Sequence, residues 1–152
     1  MLIKIIADKE VKAYLAFVEA CFKVLGWEYG DYDKKEDEKI LAAARDGKGV
    51  VWGMFDDNER LAGTVAVREL SDGSAELKRL YVLPKEQGKG YGGMLFKTAY
   101  DWALNNAYTL LKADTTTDRY ASIHLLEGHG FKRTDDYNGN PFAELFYSLD
   151  IK

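Results

Sequence analysis

Between Gly49 and Leu83 the chain carries three strand-like runs, Gly49–Phe55, Leu61–Glu69 and residues 75–83, separated only by Asp56-Asp57-Asn58 and by Ser71-Asp72-Gly73-Ser74. Both separators are turn sequences, and parallel neighbours need a dozen or more residues between them. The runs are therefore predicted to form an antiparallel meander, and the rest of the fold must be arranged around that sheet.

The flanking segments supply helices for its faces. Residues 2–7 read as a strand ended by Asp8. Val11, Leu15, Val18, Phe22 and Leu25 then recur in steps of four and three, which predicts a helix to about Leu25, stopped by Gly26. Residues 27–39 are aromatic and then densely charged, the composition of an exposed connection into a second helix over residues 35–44. After the glycines at 88–93, Leu95, Ala99, Trp102 and Ala103 keep helical spacing up to Asn105-Asn106, and residues 109–113 resemble a buried strand. A further helix is expected near Tyr120 to Gly128, and a last strand over residues 142–151 after Asn138-Gly139-Asn140-Pro141. The order is an antiparallel half followed by one crossover, an α/β architecture with a mixed, mostly antiparallel central sheet flanked by helices.

At 152 residues and 17.2 kDa the chain suits a single domain over 1–152, large enough to bury roughly 70% of its unfolded surface. With 47% hydrophobic and 30% charged residues, disorder is excluded as its main state. Cys21 has no partner for an internal disulfide, and with only 2 histidines the chain lacks the soft ligands of a structural zinc site, so no metal is expected. Cys21 reads as inert filler beside the apolar helical stripe. A net charge of -4 argues against nucleic acid as a partner. The apolar start runs into Asp8-Lys9-Glu10 without the length of a signal peptide, and no run approaches the roughly 20 apolar residues of a membrane span. The expectation is a cytoplasmic protein in a reducing compartment, with no membrane partner.

Gln87-Gly88-Lys89-Gly90-Tyr91-Gly92-Gly93 falls between a strand and a helix. Glycines there free backbone N–H groups to converge, with the positive end of a helix dipole, on one spot suited to a phosphate or pyrophosphate, and Lys89 adds charge at its rim. The bland alternative is a glycine-rich turn. Gly88, Gly90 and Gly93 also satisfy GxGxxG, but residues 83–87 intervene between strand and glycines and Asp114 comes too late for a dinucleotide fold. No Lys-Ser or Lys-Thr pair follows, so a nucleotide P-loop fails as well.

Leu80-Tyr81-Val82, then Pro84 and Gln87-Gly88-Lys89-Gly90-Tyr91-Gly92, resembles the central Q/RxxGxG/A signature of the GNAT superfamily of N-acetyltransferases. Ile123-His124-Leu125-Leu126-Glu127-Gly128-His129-Gly130-Phe131 resembles that family's later helix, which commonly reads A-I-x-L-Y-E-x-x-G-F. The likeness spans nearly the whole chain and implies a GNAT-like fold. It further implies acetyl-coenzyme A as acyl donor, its pyrophosphate on the N–H groups of Gly88, Lys89, Gly90, Tyr91, Gly92 and Gly93 beside Gln87, and its pantetheine arm along Leu80, Tyr81 and Val82. The implied reaction is direct transfer of acetyl to a small primary amine. Acyl chain length and acceptor identity stay open, as does oligomeric state, a homodimer included.

An alkyl amine with a pKa of about 10.4 is protonated at neutral pH and must lose a proton before it attacks a thioester. Glu76 matches the position from which relatives supply a general base, often through water; the alternative is an ion-paired strand residue beside Lys78 and Arg79. A strand N–H such as that of Val82 would polarise the thioester carbonyl. The tyrosine that protonates the leaving thiolate in the family is replaced by Leu126, and the asparagine often found near the start of that helix by Arg119. Tyr120, His124, His129 and Tyr137 are the available substitutes, with Tyr120 the chosen candidate. Tyr137, Asn138 and Asn140 read either as a polar acceptor pocket or as a long hairpin turn. Trp27, Tyr29 and Tyr32 read either as a cover over the acceptor or as a core edge. Leu126 also motivates a rival reading, a catalytically impaired acyl-coenzyme A-binding sensor or partner-binding module.

Overall fold

A computed structural model describes residues 1–152. In chain order the elements are β1 (Leu2–Ile5), a 3-10 turn (Asp8–Glu10), α1 (Val11–Val24), α2 (Asp31–Arg45), β2 (Gly49–Phe55), β3 (Leu61–Glu69), β4 (Ala75–Val82), a second 3-10 turn (Pro84–Glu86), α3 (Tyr91–Asn105), β5 (Leu110–Thr115), α4 (Tyr120–Gly128), β6 (Lys132–Arg133) and β7 (Leu145–Asp150). One sheet runs in the order β1-β2-β3-β4-β5-β7-β6. Its pairings are antiparallel except β4 with β5, which α3 joins by the crossover that a parallel pair requires. The mixed, mostly antiparallel sheet expected from the turn spacing is the one observed.

Both faces of the sheet are covered, and strand alternation decides what each receives. Val65, Val67 and Leu77 point to α3, where Leu95, Phe96, Ala99 and Ala103 meet them, with Leu126 of α4 in the same cluster. Ala66, Val51 and Tyr81 point the other way, onto Tyr14, Val18, Cys21 and Phe22 of α1 and Ile40 of α2.

Several boundaries differ from those expected. The buried face of α1 is centred on Tyr14, Val18, Cys21 and Phe22, rotated from the stripe that includes Val11 and Leu15, because Tyr14 and Phe17 also have apolar area to bury. Helix α2 begins at Asp31, well before residue 35, and the charged stretch that opens it is not a solvated connection: Asp33, Glu36 and Asp37 are buried. Strand β7 starts only at Leu145, because residues 136–142 are taken up by side-chain-to-backbone turns at Asp136, Asn138 and Asn140.

Arg79 sits at φ 56 where β3 and β4 slip register between Thr64 and Ala66. A non-glycine residue there costs roughly 1–2 kcal/mol and marks a bulge that bends the strand. Past Glu76 the bent β4 leaves β5, so the two strands pair only at Ala75 with Leu111 and Glu76 with Lys112. That opening positions the site.

Candidate active site

The inner edge of β4 carries the backbone donors. Leu83 N–H donates across β3 to Ala62 C=O at 2.9 Å, so the period of two turns the backbone groups of Val82 and Leu80 toward the gap. The Val82 carbonyl is taken there by Gln87 Nε2 at 2.9 Å. Tyr81 pairs with Thr64 of β3, and its ring is buried against Phe22 of α1. Among the strand residues read as cofactor contacts, Leu80 and Val82 thus offer the gap their main chain, whereas Tyr81 supports its wall.

Just past this edge lies the glycine loop. Gly90 caps α3 in the left-handed region at φ 85, and Gly88 lies at φ 80. No backbone or side-chain acceptor in the protein takes the N–H of Gly88, Lys89 or Gly90, and Tyr91, Gly92 and Gly93 form the first turn of α3, whose donors have no intrahelical partner. A Cβ placed on Gly88, Gly90, Gly92 or Gly93 would meet no protein atom within 4 Å, so the space above the donors is open. Lys89 is exposed and ion-paired with Glu86 at 2.9 Å. Six successive free donors leading into a helix N-terminus fit a diphosphate.

The gap between β4 and β5 widens into a cavity of about 390 Å³. Leu77 to Tyr81 form one wall, Ala113 to Thr116 with Arg119 and Ser122 the other, and Trp27, Tyr32, Asp33, Glu36, Asn140 and Phe142 close the far side. Tyr32 of α2 and Phe142 of the loop before β7 meet edge to face, ring centroids 5.6 Å apart, so two elements distant in sequence touch across it.

The sequence model of the acetyltransferase (GNAT) family matches residues 13–131. This chain belongs to the GNAT acetyltransferase family. An uncharacterized N-acetyltransferase of Schizosaccharomyces pombe is 30% identical over 65% of this chain, and the match spans 61% of that relative's length. Among solved structures, a GNAT-family acetyltransferase of Staphylococcus aureus Mu50 superposes with a TM-score of 0.89 over 99% of both chains at 14% identity. A PaiA N-acetyltransferase of Thermoplasma acidophilum in complex with coenzyme A superposes at 0.75 over 99% of this chain and 100% of its own, at 16% identity.

Within this GNAT fold the charges of the cavity are arranged in layers. Lys78 Nζ lies 3.1 Å from Asp114 Oδ2, whose oxygen also accepts from Asn138 Nδ2 at 2.6 Å and Asn140 Nδ2 at 3.2 Å. Burial alone would raise the Asp114 carboxyl, but the Lys78 charge and the two amides outweigh it and hold it below the usual carboxylate range. Arg79 Nε is bound to Asp37 Oδ1 at 2.9 Å, and Asp37 also accepts the Tyr29 hydroxyl, so the connection between α1 and α2 is tied to the β4 bulge. Burial, followed by the nearby charges of Glu36, Asp114 and Glu76, pushes the Tyr32 phenol up to about 12.

Glu76 lies behind that lining with no exposed surface. Its Oε1 accepts from Arg68 Nε at 3.1 Å; its Oε2 accepts from the Tyr137 hydroxyl at 2.7 Å and Asn138 Nδ2 at 2.9 Å, with Lys78 Nζ at 3.5 Å. Arg68 in turn binds Glu36 at 2.7 Å. Tyr137, Asn138 and Asn140 thus come together with Glu76 and Asp114, and only Asn140 of those three loop residues reaches the cavity lining. Burial and the adjoining carboxylates push the Tyr137 phenol far up, so it stays a proton-bearing donor. Tyr120 stands apart, 77% exposed at the head of α4 and off the lining, while Leu126 is packed in the core. His129 turns its Nδ1 to Leu125 C=O at 2.8 Å.

Sequence reasoning passed over the acidic face of α2, although Asp33, Glu36, Asp37 and Ile40 fall at i, i+3, i+4 and i+7, the spacing of a single helical face. It also missed Arg68, which stands directly opposite Glu76 across β3 and β4.

Proposed function

We propose that this chain moves an acetyl group from acetyl-coenzyme A directly to the amine of a small acceptor bound in the cavity. The observation that carries this reading is the continuity of the free N–H row over residues 88–93 with the open main-chain edge at Val82 and Leu80, which ends at a cavity with carboxylates on its wall. Acetyl-coenzyme A supplies the activated acyl group. The residues around it hold and orient: the glycine-loop N–H groups receive the diphosphate, and the edge of β4 aligns the extended arm by main-chain hydrogen bonds. The Val82 N–H is the strand donor aimed at the carbonyl oxygen, fixed before the reaction begins.

Asp33, a cavity-lining carboxylate that no lysine or arginine pairs, draws the acceptor in as an ammonium ion, and its proton must leave before the nitrogen attacks. Both oxygens of Glu76 are already engaged, so in this reading it holds Arg68, Lys78 and the Tyr137–Asn140 loop in place, and the proton departs through Asp33 and solvent. A thiol pKa near 8.5 makes the thiolate a tolerable leaving group at neutral pH, so it departs without a side-chain acid and takes its proton from water, Tyr120 standing off the cavity lining. Tyr120→Phe is expected to slow turnover by less than roughly tenfold on that account.

The packing of Leu126 in the core, where the family places its acid, favours the second reading, a domain that binds acyl-coenzyme A without turnover. Calorimetric titration with acetyl-coenzyme A and thiol release over an amine panel separate the two. Binding with amine-dependent thiol release supports the enzyme; binding with release at the hydrolysis background supports the sensor; no binding removes both.

A further inference from the structure

Three cations line the cavity, and two of them are already neutralised: Lys78 by Asp114 and Glu76, Arg79 by Asp37. The third, Arg119, has no carboxylate partner and no side-chain hydrogen bond. Its guanidinium is instead held between two rings, 5.6 Å from the centroid of Trp27 and 5.4 Å from that of Tyr81. Stacking on aromatic faces fixes the plane of an arginine and leaves its edge, with the N–H fork, available. A partly buried guanidinium with no anion is costly in a chain carrying 25 acidic residues that could have paired it. A partner supplied by the ligand resolves that cost.

The position of Arg119 tells which part of the ligand. Trp27 belongs to the connection between α1 and α2, on the sheet face opposite α3, and no residue of the glycine loop lines this cavity. Arg119 is therefore on the acceptor side of the opening. We infer that Arg119 binds a carboxylate of the acceptor, so that the substrate class is an amine that also carries a carboxylate, its ammonium end toward Asp33 and its acid end on the guanidinium fork. This rests on the acetyltransferase reading and narrows it.

The test pairs amino acids with their carboxamides: glycine, β-alanine, 4-aminobutyrate, L-glutamate and L-lysine against the matching amides. Each is titrated by calorimetry into the protein saturated with coenzyme A, and each is assayed for acetylation with acetyl-coenzyme A. At least one acid is expected to bind and react better than its amide by roughly 10- to 100-fold, the range for a charge-assisted hydrogen-bonded pair. Arg119→Gln should bring that acid-to-amide ratio to about one, and Arg119→Lys, which keeps the charge without the fork, should restore part of it. An acid-to-amide ratio near one throughout the panel in the unaltered protein overturns the inference. So does a loss of coenzyme A affinity in Arg119→Gln with the ratio unmoved, which would assign the guanidinium to the cofactor. Failure of the acetyltransferase reading is seen separately, as acetyl-coenzyme A binding that is absent, or that gives no thiol release above hydrolysis with any amine, in the unaltered protein.

Discussion

Glu76 is a carboxyl group with no exposed surface, and its neighbours define what it can do. Four donors from four other residues converge on its two oxygens. Replacing it by glutamine leaves Arg68 and Lys78 short of a counter-charge inside the protein, a change that costs about 3 kcal/mol where buried pairs are broken from one side. Glu76→Gln is therefore expected to lower the urea midpoint strongly along with activity. A variant that unfolds like the parent yet loses only the acid limb of its pH–rate profile would instead make Glu76 a proton acceptor. Cys21 is the opposite case, a buried group with almost nothing to do. Desolvation lifts its thiol to about 11 despite the opposing charge of Arg119. Because the thiolate is the reactive form, it should resist a thiol-specific reagent at pH 8 in the native protein and react stoichiometrically in urea.

The element that most directly serves binding is the first turn of α3, and its glycines divide by the reason each is needed. At Gly90, φ 85 is a conformation that any side chain resists, so Gly90→Ala should cost about 1–2 kcal/mol in unfolding experiments although the space around it is open. Gly93 lies within the helix, where alanine is the better residue by roughly 0.5–1 kcal/mol. Gly93→Ala is expected to unfold at slightly higher urea concentration while binding acetyl-coenzyme A more weakly, because its methyl occupies the space the diphosphate would approach. Loss of binding without loss of stability is the signature of a glycine kept for a ligand. Helix α2 shows a second way in which an element serves a site: Asp33, Glu36 and Asp37 face the protein, and Glu36 and Asp37 reach the arginines of β3 and β4.

At the scale of the whole molecule, a network of buried charge joins α2, β3, β4, β5 and the loop before β7, and its strength depends on pH. The Asp114 carboxyl is held below its ordinary value in the folded chain, so between that value and the unfolded one near 3.9 the unfolded chain binds more protons. Its contribution to stability is complete above that window and is lost as pH falls through the folded value. Urea midpoints should accordingly change little from pH 7 to about 5 and drop below about 4, and Asp114→Asn should flatten part of the drop. An equally steep acid limb in that variant would show that other carboxylates carry it.

Local pattern announced the meander, the crossover helix, the glycine loop and the strand leading into it, because short turns, strand alternation and helical periodicity are properties of neighbouring residues. The charged start of α2 misled for the same reason: its composition is that of a solvated helix, and only arginines more than thirty residues away make its inward face tolerable. Which carboxylate is free and which is saturated, how Tyr32 meets Phe142, and why Arg119 is left without a partner depend on contacts between distant segments. Those contacts exist only once the sheet has closed and β4 has bent away from β5, and no spacing along the chain encodes their geometry directly.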